Sequence, residues 1–149
     1  TIFSFDAFAI EVKSDDILGI WLIEENGESV EKIEIYKKGD SYFGKIKWLK
    51  AQDESDGVVV DRKNRSDELK TRPLLGLEFM IDFKFDGKDS WSDGKLYAYR
   101  KGRTVSPKFT LIDENHLNIQ VKILFIKKSF SWIRVTTIED TKEEKCAKQ

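Results

Sequence analysis

The sequence predicts an all-β fold: a single antiparallel, up-and-down barrel of eight strands. Three observations carry that prediction. Apolar and polar residues alternate with period two in eight successive stretches, the signature of strands with one buried face. Six of the seven connections are short, and short connections join antiparallel neighbours. Eight strands suffice to close a barrel, and closure removes exposed sheet edges.

Residues 1–16 precede the first strand and are expected to give a short helix over one end of the barrel. Phe3, Phe5, Phe8 and Ile10 are apolar, Asp6 can cap a turn, and Ser14-Asp15-Asp16 is a second helix-start signal. The first strand spans roughly 17–24, with Gly19 and Trp21 on one face. Asn26-Gly27 follows, a tight-hairpin pair suited to two residues at positive φ. The second strand, 30–37, sets Ile33 and Ile35 against Lys32, Glu34 and Tyr36. Gly39-Asp40 turns into the third, 42–50, where Tyr42, Gly44, Ile46 and Trp48 oppose Lys45 and Lys47.

Residues 51–73 break the alternation. The stretch is polar and charged, offers a helix start at Ser66-Asp67-Glu68, and ends at Pro73. A long connection of this kind in a compact domain is usually functional or disordered. The fourth strand, 75–85, aligns Leu75, Leu77, Phe79, Ile81, Phe83 and Phe85. Asp86-Gly87 leads to the fifth, 91–100, with Trp91, Tyr97 and Tyr99 on one parity. Lys101-Gly102 leads to the sixth, 103–112, where Pro107 cannot donate to a ladder and marks an edge or bulge. Asp113-Glu114-Asn115 turns into the seventh, 116–126, with Leu117, Ile119, Val121, Ile123 and Phe125 aligned. Lys127-Lys128-Ser129 is read as the connection to the eighth, 130–138, with Phe130, Trp132 and Arg134 together. Residues 139–149 form a charged tail expected to fray. The barrel domain is therefore 17–138.

In an up-and-down barrel successive connections alternate ends. The start of the first strand and the end of the last share one end, the floor. The 51–73 loop lies at the other, the mouth, above Trp48 and Leu77. The first and last strands must pair, so Trp21 and Arg134 can meet with the guanidinium over the indole, worth roughly 0.5–2 kcal/mol.

Composition narrows the chemistry. Lysines and arginines number 26 against 27 acids, with none of the positive excess that non-specific nucleic-acid binding needs. Cys146 and His116 are the lone cysteine and histidine, too few for a His/Cys zinc site or a Ser-His-Asp triad. No metal and no cofactor is expected. Most acids fall in turns or on outward parities, which leaves little for a carboxylate-pair hydrolase. No apolar run approaches the ~20 residues of a membrane helix. The chain opens on Thr1, consistent with a removed signal peptide or a trimmed chain.

Gly19-Ile20-Trp21, with Arg134 on the last strand, resembles the lipocalin (calycin) pattern. In that family the Trp packs inside the closed end beneath a basic residue from the final strand. Phe43-Gly44-Lys45-Ile46-Lys47-Trp48-Leu49, Arg72-Pro73-Leu74-Leu75-Gly76-Leu77, Trp91-Ser92-Asp93-Gly94-Lys95-Leu96-Tyr97 and Trp132-Ile133-Arg134 resemble, more specifically, a bacterial, mostly periplasmic family with a lipocalin-like barrel. This resemblance spans roughly residues 17–136. It implies export and a barrel, and supplies no catalytic residues. Two features depart from typical lipocalins. The large loop joins the third and fourth strands rather than the first two, and a charged tail stands where many have a helix. Ligand positions from animal lipocalins therefore do not transfer.

The expected function is non-enzymatic binding or transport of a small hydrophobic or amphipathic molecule, in the periplasm or outside the cell. The lining would come from Ile33, Ile35, Ile46, Trp48 and Leu77, with Phe79, Ile81, Tyr97, Ile119 and Val121. The same residues can instead fill the interior, as in many small barrels. The barrel would then be an interaction module of the cell envelope using the 51–73 loop. Arg62, Asn64 and Arg72 in that loop either capture an anion or pin the loop. Gly19, Trp21, Trp132 and Arg134 are assigned to a structural floor. Lys95 either points inward beside Tyr97, or faces solvent while Leu96 and Ala98 point in.

Overall fold

A computed structural model describes residues 11–135; the first ten residues of the 1–16 segment expected to be helical, the charged tail 139–149 and Cys146 with it lie outside them. Ten strand segments make one antiparallel sheet: β1 (Gly19–Glu25), β2 (Glu28–Lys38), β3 (Ser41–Leu49), β4 (Glu78–Phe85), β5 (Ser90–Ser92), β6 (Lys95–Ala98), β7 (Arg103–Val105), β8 (Lys108–Asp113), β9 (His116–Ile123) and β10 (Ile126–Arg134). They form the eight strands of a closed, lipocalin-like barrel, because β5 with β6 and β7 with β8 are two strands, each interrupted once. Asp93, at φ 63°, breaks the first pair. Ser106-Pro107 breaks the second, where the proline has no N–H to offer the ladder.

Neighbours in sequence are neighbours in the barrel, and two pairings close it. Trp21 and Leu22 of β1 oppose Arg134 and Ile133 of β10. Tyr42 of β3 opposes Phe83 of β4 across the long loop. The described start of the chain is a 3-10 turn, Ser14–Ile17, capped by a hydrogen bond from the Lys13 amide to Asp16 Oδ2 at 2.8 Å. Among the described residues the only α-helix is α1 (Lys50–Asp53), a single turn leaving β3. The helix start at Ser66 becomes a 3-10 turn, Asp67–Leu69.

The lower and middle interior is filled. Trp21, Ile33, Phe83, Trp91 and Phe109 have no exposed surface. Their rings interlock: Phe83 meets Phe109 edge-on at 5.0 Å, and Phe109 meets Trp132 at 5.4 Å. Ile35, Ile46, Phe79 and Ile119 complete this packing, and Leu77 and Val121 sit against it.

Three local expectations need correction, two of them because a bulge shifts parity, and the alternative left open at Lys95 is decided in favour of the outward orientation. In β3 the register moves from Ile33↔Ile46 to Lys32↔Trp48, which inserts Lys47 as an extra residue. Trp48 consequently turns outward with Lys32, and Leu49 takes the inward position. In β4 the register moves from Tyr42↔Phe83 to Gly44↔Met80, with Asp82 at φ 60°. Met80 is buried in place of Ile81, which is 41% exposed. Leu96 opposes Met80, so Leu96 faces in, while Lys95 opposes Ile81 on the outside. Finally, the last hairpin turns at Leu124-Phe125, and Lys127, Lys128 and Ser129 lie within β10.

Candidate functional site: the barrel mouth

The floor is closed by backbone and side chain together. The Trp21 indole donates to the Ile17 carbonyl at 2.9 Å, and the Arg134 guanidinium lies 4.4 Å from the Trp21 ring centre. Arg134 also donates to the carbonyls of Leu18 and Glu114, each at 2.7 Å, and to that of Asp16. Gly19 sits at φ 128°, and a Cβ there would lie 3.0 Å from the guanidinium. A side chain at this position would push the arginine off the indole. Trp132 packs on Phe109 just above. A recess of about 760 Å³ lies outside this floor along the β8–β9 turn. Val12, Asp15, Leu18, Leu111 and Arg134 line it.

The mouth is organised by Asp61, which is only 1% exposed. Its carboxylate accepts from Tyr97 Oη at 2.7 Å, Asn64 Nδ2 at 2.8 Å and Arg72 Nε at 2.9 Å. Asn64 Oδ1 accepts in turn from the Ser66 amide at 2.8 Å. The two ends of the loop also pair through backbone: the Asp61 amide donates to the Arg72 carbonyl and the Leu74 amide to the Val59 carbonyl, both at 3.0 Å. Gln52 of α1 clamps the near side, donating to the Gly57 carbonyl at 2.9 Å and accepting from the Val59 amide at 2.8 Å. Gly102 lets the β6–β7 turn approach the Lys63 carbonyl, where a Cβ would collide. The 51–73 loop is thus a fastened rim.

Two adjoining recesses of about 240 and 370 Å³ open beneath that rim and share Ala51, Val59, Leu74, Tyr99 and Arg100. Val30 and Leu49 extend the apolar wall. Lys50 and Arg100 stand at the edge, ion-paired to Glu28 and Glu25 respectively. Arg62 and Lys63 edge the larger recess, and neither has a side-chain partner among the described residues. Behind Tyr99 lies Glu31, 5% exposed, on the inward parity of Ile33 and Ile35. Tyr99 Oη donates to it at 3.1 Å. Burial pushes the Glu31 carboxyl up to about 7 despite that hydrogen bond. Burial and the neighbouring Glu31 carboxylate hold the Tyr99 phenol well above its usual range.

The sequence-predicted lining residues lie elsewhere. Ile33, Ile35, Ile46, Phe79 and Ile119 belong to the packed interior, with Leu77 and Val121 against it. Trp48 is outside, its indole bonded to Asp53 at 2.7 Å. Tyr97 is held by Asp61. Of the lid residues, Asn64 and Arg72 pin the loop, and Arg62 borders the recess. Val30, Leu49, Ala51, Val59, Leu74 and Arg100 went unrecognised as lining, as did Glu31 behind them. Only Glu31 carried a signal: an acid on the same parity as two interior isoleucines.

Residues 19–134 match the protein family described as "Uncharacterized protein conserved in bacteria (DUF2147)". No curated protein matches the sequence. Among solved structures the chain is similar to one titled "Protein HP1028 from the human pathogen Helicobacter pylori belongs to the lipocalin family". The two share 21% sequence identity at a TM-score of 0.72, over 86% of this chain and 88% of that one. At that identity the likeness speaks for the fold.

Proposed function

The chain belongs to the bacterial family DUF2147, and from that premise we propose that it is a non-enzymatic binder of small amphipathic molecules, held at the mouth of its barrel. The observation that carries this reading is the pair of apolar recesses under the 51–73 rim, edged by Arg62 and Lys63, cations with no side-chain partner among the described residues. A lipocalin-like barrel is a scaffold suited to ligand binding in general. Here the interior is occupied by side chains, so the ligand sits in the mouth rather than in a central cavity. The recesses are small beside the ~300–1,000 Å³ of typical ligand pockets, so part of the ligand stays outside. An apolar body against Val59 and Leu74 with an anionic end toward Arg62 and Lys63 fits this lining.

The reading extends to location: the periplasm or the cell exterior, supported by the family resemblance and tested by fractionation. Fluorescence titration with 1-anilinonaphthalene-8-sulfonate tests the binding itself. Saturable enhancement is expected, and Ala51→Trp, which fills both recesses from α1, should weaken it about tenfold or more. No enhancement with this probe and no retained small molecule in native mass spectrometry would sink the reading. That outcome would favour a protein-interaction module, the reading that the packed interior itself supports.

A further inference from the structure

We propose that the β9–β10 hairpin docks the barrel mouth onto an anionic lipid surface. β10 pairs with β1 only at Ile133 and Arg134. From Ile126 to Ser131 it pairs with β9 alone, and its partners from Val121 to Ile123 pair with no other strand, so the tip of the hairpin extends past the barrel wall as a two-stranded ribbon. At its tip Leu124 and Phe125 are 84% and 100% exposed, and Ile126 and Phe130 continue the apolar surface along β10.

The tip is not a turn chosen for folding. A two-residue hairpin turn favours Asn-Gly, which tolerates positive φ, and the β1–β2 hairpin at the same end uses that pair. Here Leu124 is held at φ 55°, a conformation costly for a bulky side chain. Three lysines collar the tip: Lys122, Lys127 and Lys128. Lys122 and Lys127 are direct cross-strand partners, a like-charge pairing that disfavours the isolated ribbon. No acidic residue occurs from His116 to Val135, although the chain as a whole is nearly neutral. An apolar point behind a ring of lysines matches a membrane interface, with Leu124 and Phe125 in the acyl boundary and the ammonium groups at anionic headgroups.

Because the tip and the recesses share the mouth end, docking would turn the recesses toward lipid. The ribbon shares no residue with them, so this proposal and the ligand reading stand or fall separately. The test is co-sedimentation of the full chain with phosphatidylcholine vesicles, with and without phosphatidylglycerol. The wild type should partition onto the phosphatidylglycerol vesicles and be released by salt. The double variant Leu124→Asn, Phe125→Gly installs the favoured turn, so it should melt no lower than wild type yet lose about tenfold or more in partitioning. Charge removal by Lys122→Gln, Lys127→Gln and Lys128→Gln should abolish the preference for phosphatidylglycerol. The proposal is overturned if the wild type does not sediment with these vesicles, or if the turn variant sediments equally well. It is also overturned if light scattering shows a dimer that the turn variant dissolves without any change in lipid partitioning.

Discussion

Trp21 and Glu31 are both buried on the inner surface, and they do opposite things to stability. The indole has no exposed surface and lies under Arg134. Trp21→Ala should cost about 3–5 kcal/mol, the range for emptying an aromatic core site. The mouth lies at the far end, so probe binding there should be retained; denaturant unfolding with and without probe checks both. A fully stable variant would refute the floor plug. Glu31 instead carries a penalty. Its folded pKa of about 7 is raised above the ordinary 4.5, so between those values the folded state holds the proton that the unfolded chain releases. Stability is therefore undiminished below the lower value and falls as pH rises through this window. The deficit is on the order of 3 kcal/mol above it. Glu31→Gln keeps an acceptor for Tyr99 and removes the charge. Urea unfolding from about pH 5 to about pH 8 should show that deficit growing in the wild type relative to the variant. Parallel profiles would mean another group titrates.

At the scale of elements, the mouth depends on how one loop is fastened. Asp61 joins the loop to β6 through Tyr97, joins the loop's two ends through Arg72, and holds its own turn through Asn64. Asp61→Asn should cost about 3 kcal/mol, because it leaves a buried network half satisfied. Limited proteolysis should then cut within residues 51–73 while the far-ultraviolet dichroism of the barrel persists. Protection equal to wild type would show that the backbone pairing suffices. The loop's existence and its end of the barrel were legible, since alternation breaks over residues 51–73 and resumes at Leu75. Pinning by Asn64 and Arg72 was one of the two readings of those residues; the anchor itself, Asp61, was not legible, because Tyr97 lies on another strand and meets it only in the fold. The bulges escaped notice for a related reason. Trp48 and Leu49 are both apolar, as are Met80 and Ile81, so alternation alone cannot show which one an extra residue turns inward. The last turn was misplaced because Leu124-Phe125 lacks turn chemistry.

At the scale of the molecule, eight alternating stretches joined mostly by short turns left few topologies other than a closed up-and-down barrel. Gly19, Trp21 and Arg134 oriented it. The number and order of strands follow from local pattern, which is why they were readable. Whether inward side chains fill a barrel or line a cavity depends on how rings from different strands interlock. Phe83, Phe109 and Trp132 come from β4, β8 and β10, and nothing in their spacing announces that they meet. Among the described residues the barrel interior is filled at the floor and centre, and the two mouth recesses open beneath the rim.

The central claim, binding at the mouth over a filled interior, is tested most directly by amide chemical-shift mapping during titration with 1-anilinonaphthalene-8-sulfonate. Saturable shifts are predicted at Val30, Leu49, Ala51, Val59, Leu74 and Tyr99, with Ile33, Phe83 and Phe109 unmoved. Shifts centred on those three interior residues, or none at the mouth at saturating probe, would contradict it.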